Sequence, residues 1–184
     1  SLAAFVSIFP FFWMAIGATN RSADLLKGKA TPGDALWSNI VTFFMSADMP
    51  RILFNSFFIA GVGTALTLLI SSLAGYGFEV FRSRTREKVF AGLLLMLSVP
   101  FAALMIPLFV MMANFKLINT YQAIILPGIA SIFIIFYFRQ ATKAFPQELR
   151  DAARIDGLKE WQIFLHVYMP VMRSTYAAAT IIVF

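Results

Sequence analysis

Cysteine is absent from this chain of 184 residues, and histidine occurs once, at His166. The first absence excludes disulfides, thiolate nucleophiles and Cys-ligated metals, and the second leaves His166 without a histidine partner for a metal site. Charge is scarce: 13% of residues are Asp, Glu, Lys or Arg, where a soluble domain carries about 25%. No paired carboxylates, nucleophile-base set or Walker loop is found, so no catalytic, cofactor-binding or metal-binding residue is assigned. Gly61-x-Gly63 and Gly75-x-Gly77 follow no strand signal and are not nucleotide loops. The middles of the first four apolar runs hold no ionisable side chain. Such groups are what an ion- or proton-coupled transporter uses to bind its ion.

Apolar length is abundant. Hydrophobic residues make up 60% of the chain, including 21 Phe. Charge-free runs cover 2–20, 52–77, 89–115 and 117–138, and 162–184 is broken only by His166 and Arg173. A bilayer core of about 30 Å needs roughly 20 apolar residues in a helix. Helices are required because lipid offers backbone amides no partner, and the alternation of barrel strands is missing. The expected fold is therefore all-α, a polytopic membrane helical bundle with five spans at about 2–20, 52–78, 89–113, 120–139 and 166–184. Neither end has a polar flank, so both termini are expected to be missing from a longer protein.

The net charge of +6 fits basic loops held on one side of a membrane better than a nucleic-acid partner. Arg82, Arg84, Arg86 and Lys88 crowd one short loop, and Arg139, Lys143, Arg150, Arg154 and Lys159 lie in another polar segment, 140–165, and at its edge. These are expected on the cytoplasmic side. Loop 20–51, where Asp24, Asp34 and Asp48 nearly balance the cations, and loop 113–120, with Lys116 alone, then face outward. Within the longer outer loop, Thr31-Pro32-Gly33-Asp34 reads as a turn, and 35–47 as an amphipathic interfacial helix carrying Trp37, Ile40, Val41, Phe43 and Phe44. That helix either docks an external partner or covers the bundle at headgroup level. Pro10, Pro100, Pro107, Pro127 and Pro170 are expected to bend or end helices. Small residues from Gly61 to Gly77 are expected to admit a neighbouring helix. Glu79 and Arg173, near span ends, are expected to snorkel to the interface.

The polar stretch 148–170 is the most informative. Pro146 stands where a helix would begin, and Glu148 and Asp151 are expected in its first turn, favoured there by the helix dipole. Ala152 and Ala153 are strong helix formers with flat surfaces. Asp156-Gly157 ends the helix with a left-handed residue, and Pro170 bends the chain as it re-enters the membrane. On physics alone this is either a helix presented to a soluble partner or an ordinary interfacial loop.

The stretch resembles the EAA motif of binding-protein-dependent ABC importer permeases: Glu-Ala-Ala, three residues, Gly, nine residues, Ile-x-Leu-Pro. Asp151-Ala152-Ala153, Gly157 and Val167-Tyr168-Met169-Pro170 fall at that spacing, with Asp for Glu, Val for Ile and Met for Leu. Ile155-Asp156-Gly157, Trp161-x-x-Phe164, Leu53-Phe54-Asn55-Ser56, Ile106-Pro107-Leu108 and Leu117-Ile118-Asn119-Thr120-Tyr121 are similar to the carbohydrate-uptake branch, in particular the smaller permease subunit of maltose-type importers. The resemblance implies a type I importer permease fold of six core spans, of which five are present. It implies two ABC ATPase subunits, a second permease subunit and an external solute-binding protein, in a bacterial or archaeal inner membrane. It assigns Glu148, Asp151, Ala152, Ala153, Asp156, Gly157 and Pro170 to coupling with the ATPase, and no residue to the substrate, which it suggests is a sugar or oligosaccharide. A stand-alone secondary transporter or channel, and a scaffold recruiting a soluble enzyme, are the rival functions.

Overall fold

The computed structural model describes residues 2–46 and 48–184, and every regular element among them is helical. The chain divides into two compact units, Ser1–Asn55 and Ser56–Phe184.

The first unit holds α1 (Leu2–Thr19), α2 (Ser22–Leu26) and α3 (Leu36–Ser46). Asn20, buried at the end of α1, donates from its amide to the carbonyls of Ile16 and Thr31 at 3.0 and 2.8 Å. Asn39 returns the favour from α3, donating to Ala18 O and Asn20 O, both at 2.9 Å. The turn expected at 31–34 closes against this junction: a Cβ on Gly33 would stand 2.5 Å from Asn20 Oδ1 and 2.7 Å from Thr19 O, so no larger residue fits. Trp37, Phe43, Phe44 and Met45 of α3 are exposed, as an interfacial helix requires. Ala47, the last residue of that expected helix, lies outside the described residues.

The longest helix, α4 (Met49–Val80), has 32 residues. At about 1.5 Å per residue it spans about 48 Å, more than a bilayer core. Among the described residues it is the one helix long and apolar enough to cross a membrane by itself. The expected span 89–113 is instead two helices, α5 (Arg84–Met96) and α6 (Phe101–Asn114), meeting at a bend of 100°. Pro100 stands at the break and has no amide to continue the ladder. Likewise 120–139 is split into α7 (Tyr121–Ile125) and α8 (Ile132–Thr142), with Pro127 and Gly128 between them. Ser83, Thr120 and Ser131 cap α5, α7 and α8, each side-chain oxygen accepting an amide of the first turn.

Beyond α8 the chain forms α9 (Gln147–Ile155), α10 (Glu160–Ile163), a π-helical turn (Phe164–Tyr168), α11 (Met169–Val171) and α12 (Arg173–Val183). The core of the second unit has two centres. Tyr76, Phe145, Phe164, Tyr168 and Met172 form one, and Ile134, Phe138 and Ala179 the other. Of the small residues in α4, Gly75 carries the close approach: a Cβ there would stand 2.7 Å from Phe138 Cβ and 2.8 Å from Arg139 N. Gly61, Gly63 and Gly77 face open space. Outside the core, Phe57, Leu69, Phe101, Ile106 and Phe109 are exposed, a surface suited to lipid rather than water.

Candidate coupling site

The polar stretch folds into α9, a cap and a return. Pro146 is the N-cap, so the helix starts one residue later than the sequence suggests, at Gln147. Glu148 alone supplies acid to the first turn, and Asp151, expected beside it, belongs to the next turn. The helix ends where Gly157 adopts φ +81°. Gly157 N–H donates to Arg154 O and Leu158 N–H to Ala153 O, each at 3.0 Å. That pair of crossed bonds is the Schellman arrangement, which satisfies carbonyls the helix would otherwise leave unpaired. A Cβ on Gly157 would touch nothing within 4 Å, so the constraint at this position is the backbone angle and not space.

The two alanines part company. Ala152 is exposed, but Ala153 is buried against the body of the unit, so of the two only the first has an accessible surface. A residue on one face of a helix and its immediate neighbour are about 100° apart, which forces this split. The outward surface holds Glu148, Leu149, Asp151, Ala152, Ile155 and Asp156. Ile155 is 87% exposed, an apolar knob beside two carboxylates that the sequence marked only as part of the Ile155-Asp156-Gly157 resemblance and not as a coupling residue. Its local signal was a branched apolar residue placed directly before the Asp-Gly cap of a polar helix. Pro170 is not part of this surface; it lies beyond the π-helical turn and shapes the return. Met169 N–H bonds Phe164 O, one residue further back than in an α-helix, and Pro170 follows with no amide to give.

Behind α9 the return is fastened to α4. Glu160 accepts from Arg154 Nε at 2.6 Å through Oε1 and from Tyr76 OH at 3.2 Å through Oε2. One carboxylate thus joins α9, α10 and α4. Tyr76 rests edge-on against Phe164 and Tyr168, with ring centroids 5.4 and 4.8 Å away. Thr142 Oγ1 lies 2.7 Å from Phe138 O and 2.6 Å from Tyr168 OH. A threonine has a single hydroxyl proton; since it goes to the carbonyl, Tyr168 is the donor to Thr142.

A second polar cluster lies at the ends of α4 and α8. Glu79, expected to snorkel outward, has a side chain only 9% exposed and is paired with Arg82 and, at 3.3 Å, with Arg139 Nε. The pairing explains the burial: a carboxylate leaves water when cations replace it. Arg139 also donates through Nη2 to Glu87 Oε1 at 2.5 Å and lies 4.1 Å over the Phe90 ring. The Arg139 hydrogen bond holds the Glu87 carboxyl below the usual carboxylate range. A cavity of about 520 Å³ opens between this cluster and α9. No group of side chains able to hold a metal ion occurs among the described residues.

Residues 67–184 match the family model described as binding-protein-dependent transport system inner membrane component. Over all of its length the chain is 66% identical to the lactose transport system permease protein of Rhizobium radiobacter, covering 67% of that relative. It is 36% identical to the arabinooligosaccharides transport system permease protein of Halalkalibacterium halodurans, over 97% of this chain and 66% of that one. It is 30% identical to the sn-glycerol-3-phosphate transport system permease protein of Yersinia enterocolitica, over 96% and 66%. The chain spans about two thirds of the length of these relatives.

Proposed function

This chain belongs to the family of inner-membrane components of binding-protein-dependent transport systems, and from that membership we propose that it is the permease subunit of an ATP-driven importer for a sugar or oligosaccharide. It is a transport subunit and not an enzyme; ATP is hydrolysed in a separate subunit. The identity to a lactose permease protein supports a disaccharide as cargo. The five apolar runs are its membrane spans, with the broken pairs α5–α6 and α7–α8 each forming one passage. Its partners are two ATPase subunits, a second permease subunit and an external solute-binding protein, in the inner membrane of a bacterial or archaeal cell.

The observation that carries the reading is α9. It is a capped, polar helix whose outer face is unpaired while its inner face is locked to the bundle. ATP binding closes the ATPase pair, and a helix held by that pair must move with it. Glu160 and the aromatic centre pass the displacement to α4 and α12, and the spans rock between inward- and outward-open arrangements. Such a cycle needs a handle whose positions are biased by the ligand state, and a rigid α9 meets that need. Stand-alone ion-coupled transport is disfavoured because the middles of the first four apolar runs hold no ionisable side chain.

The test is isolation of the full-length protein from its native membrane with a tag. The expected result is co-purification of an ATPase subunit and ATP-dependent uptake of labelled lactose or a related oligosaccharide. Transport in cells lacking any ATPase partner, or a permease isolated alone, overturns the reading. Asp151→Lys reverses a charge on the outer face and is expected to weaken ATPase attachment at least about tenfold, because a close charge pair across an interface is worth roughly 1.5–7 kcal/mol. Unchanged recovery removes Asp151 from the contact.

A further inference from the structure

The cavity behind α9 is not accounted for by coupling. It is lined by Glu79, Arg82, Thr142, Lys143, Gln147 and Arg150, at the junction of the ends of α4 and α8 with the start of α9. The charges around it do not balance. Glu79 is taken by Arg82 and Arg139, and Glu87 by Arg139. Lys143 and Arg150 make no ion pair among the described residues. Arg150 Nε is buried with no hydrogen-bond partner, an arrangement a guanidinium adopts at a cost unless an anion meets it. Gln147, at the first position of α9, lines the cavity too, and Pro146 gives that helix no side-chain cap. The free amides of the first turn add to the positive potential.

We propose that this cavity binds a phosphate-bearing anion, with Arg150 and Lys143 as the principal cations and Arg82 and Thr142 at its edge. The inference rests on the reading above that this end of the bundle faces the cytoplasm. Phosphate suits the site because its oxygens accept from a guanidinium fork and an ammonium together, while Thr142, whose one hydroxyl proton goes to Phe138 O, only lines the edge. Val80 and Phe145 form an apolar wall of the same cavity. The helices leading into it, α4 and α8, are apolar up to this level, which places the cavity at the depth of headgroups. An anionic phospholipid meets both walls, and basic pockets at the cytoplasmic ends of spans are a recognised lipid-binding arrangement.

The experiment uses the full-length permease in complex with its ATPase, delipidated in detergent. It is titrated with phosphatidylglycerol, phosphatidylcholine and inorganic phosphate and read by native mass spectrometry. Phosphatidylglycerol is expected to be retained over phosphatidylcholine. Arg150→Gln and Lys143→Gln are each expected to weaken retention about fivefold, the effect of about one basic residue at a membrane surface. Arg84→Gln removes an exposed charge of the same region away from the cavity and is expected to change nothing. Displacement of the lipid by millimolar phosphate identifies a soluble phosphate as the source, and its failure to displace identifies the headgroup. The proposal is overturned if the wild-type complex shows no preference for phosphatidylglycerol and no phosphate binding. It is equally overturned if retention is the same in the Arg150→Gln, Lys143→Gln double variant, or if Arg150 cross-links to an ATPase carboxylate with no phosphate competing. ATPase recovery is scored in parallel, so a failure of coupling is seen separately from a failure of anion binding.

Discussion

At Gly157 the backbone sits at φ +81° with open space where a Cβ would be. A side chain there is resisted by its own peptide neighbours and by nothing else, at a cost of roughly 1–2 kcal/mol. Gly157→Val is therefore expected to leave membrane abundance unchanged, fray the end of α9 and reduce uptake strongly. Gly157→Asn, which tolerates the left-handed region, is expected to keep much more of it. Quantitative immunoblotting beside uptake assays checks both, and normal uptake in the valine variant removes the cap from the mechanism. Gly75 shows the opposite constraint, where the angle is ordinary and a Cβ would overlap Phe138. Both glycines stand out in the sequence, but only packing shows which reason applies to each. Residues 152 and 153 carry the same lesson: two identical letters, one exposed and one facing the core.

At the scale of elements, α9 was legible because its signals are local. A proline, an acid near the start, alanines and an Asp-Gly end each act within a turn of their own position. The Glu160 link was not legible, because Tyr76 lies 84 residues away and nothing in a short window marks it. The same holds for Glu79, whose partner Arg139 is 60 residues distant. Glu160 and Arg154 are partly exposed, so the pair itself is worth only ~0.5–1 kcal/mol. Its value lies in direction and not in strength. Glu160→Ala and Tyr76→Phe are expected to leave ATPase recovery intact and to lower the sugar moved per ATP hydrolysed. Reconstituted vesicles reporting both quantities decide this: if uptake and hydrolysis fall in proportion, the carboxylate does not transmit motion. The broken helices α5–α6 and α7–α8 were announced by Pro100 and Pro127, but a bend of 100° is a tertiary result. Proline removes a bond; the surrounding helices choose the angle.

For the whole molecule, the absence of cysteine makes topology directly measurable. Single cysteines at positions 84 and 155 are expected to react with an impermeant maleimide only from the cytoplasmic side, and one at position 30 only from outside. Labelling of 155 from outside overturns the orientation. Composition, run length and the asymmetry of Lys and Arg pointed by themselves to a helical membrane protein with a polar segment between apolar runs, because transfer of apolar surface and charge into lipid depends on residue type and length alone. Spacing along one polar segment carried the resemblance to the family to which the chain belongs. Only the tertiary structure decided that Ala153 is buried, that Ile155 projects, that Glu79 is paired inside and that Lys143 and Arg150 are left around a cavity with no carboxylate of their own. Those outcomes depend on which distant side chains arrive at the same place, and a carboxylate or guanidinium takes its state from that company rather than from its neighbours in the chain.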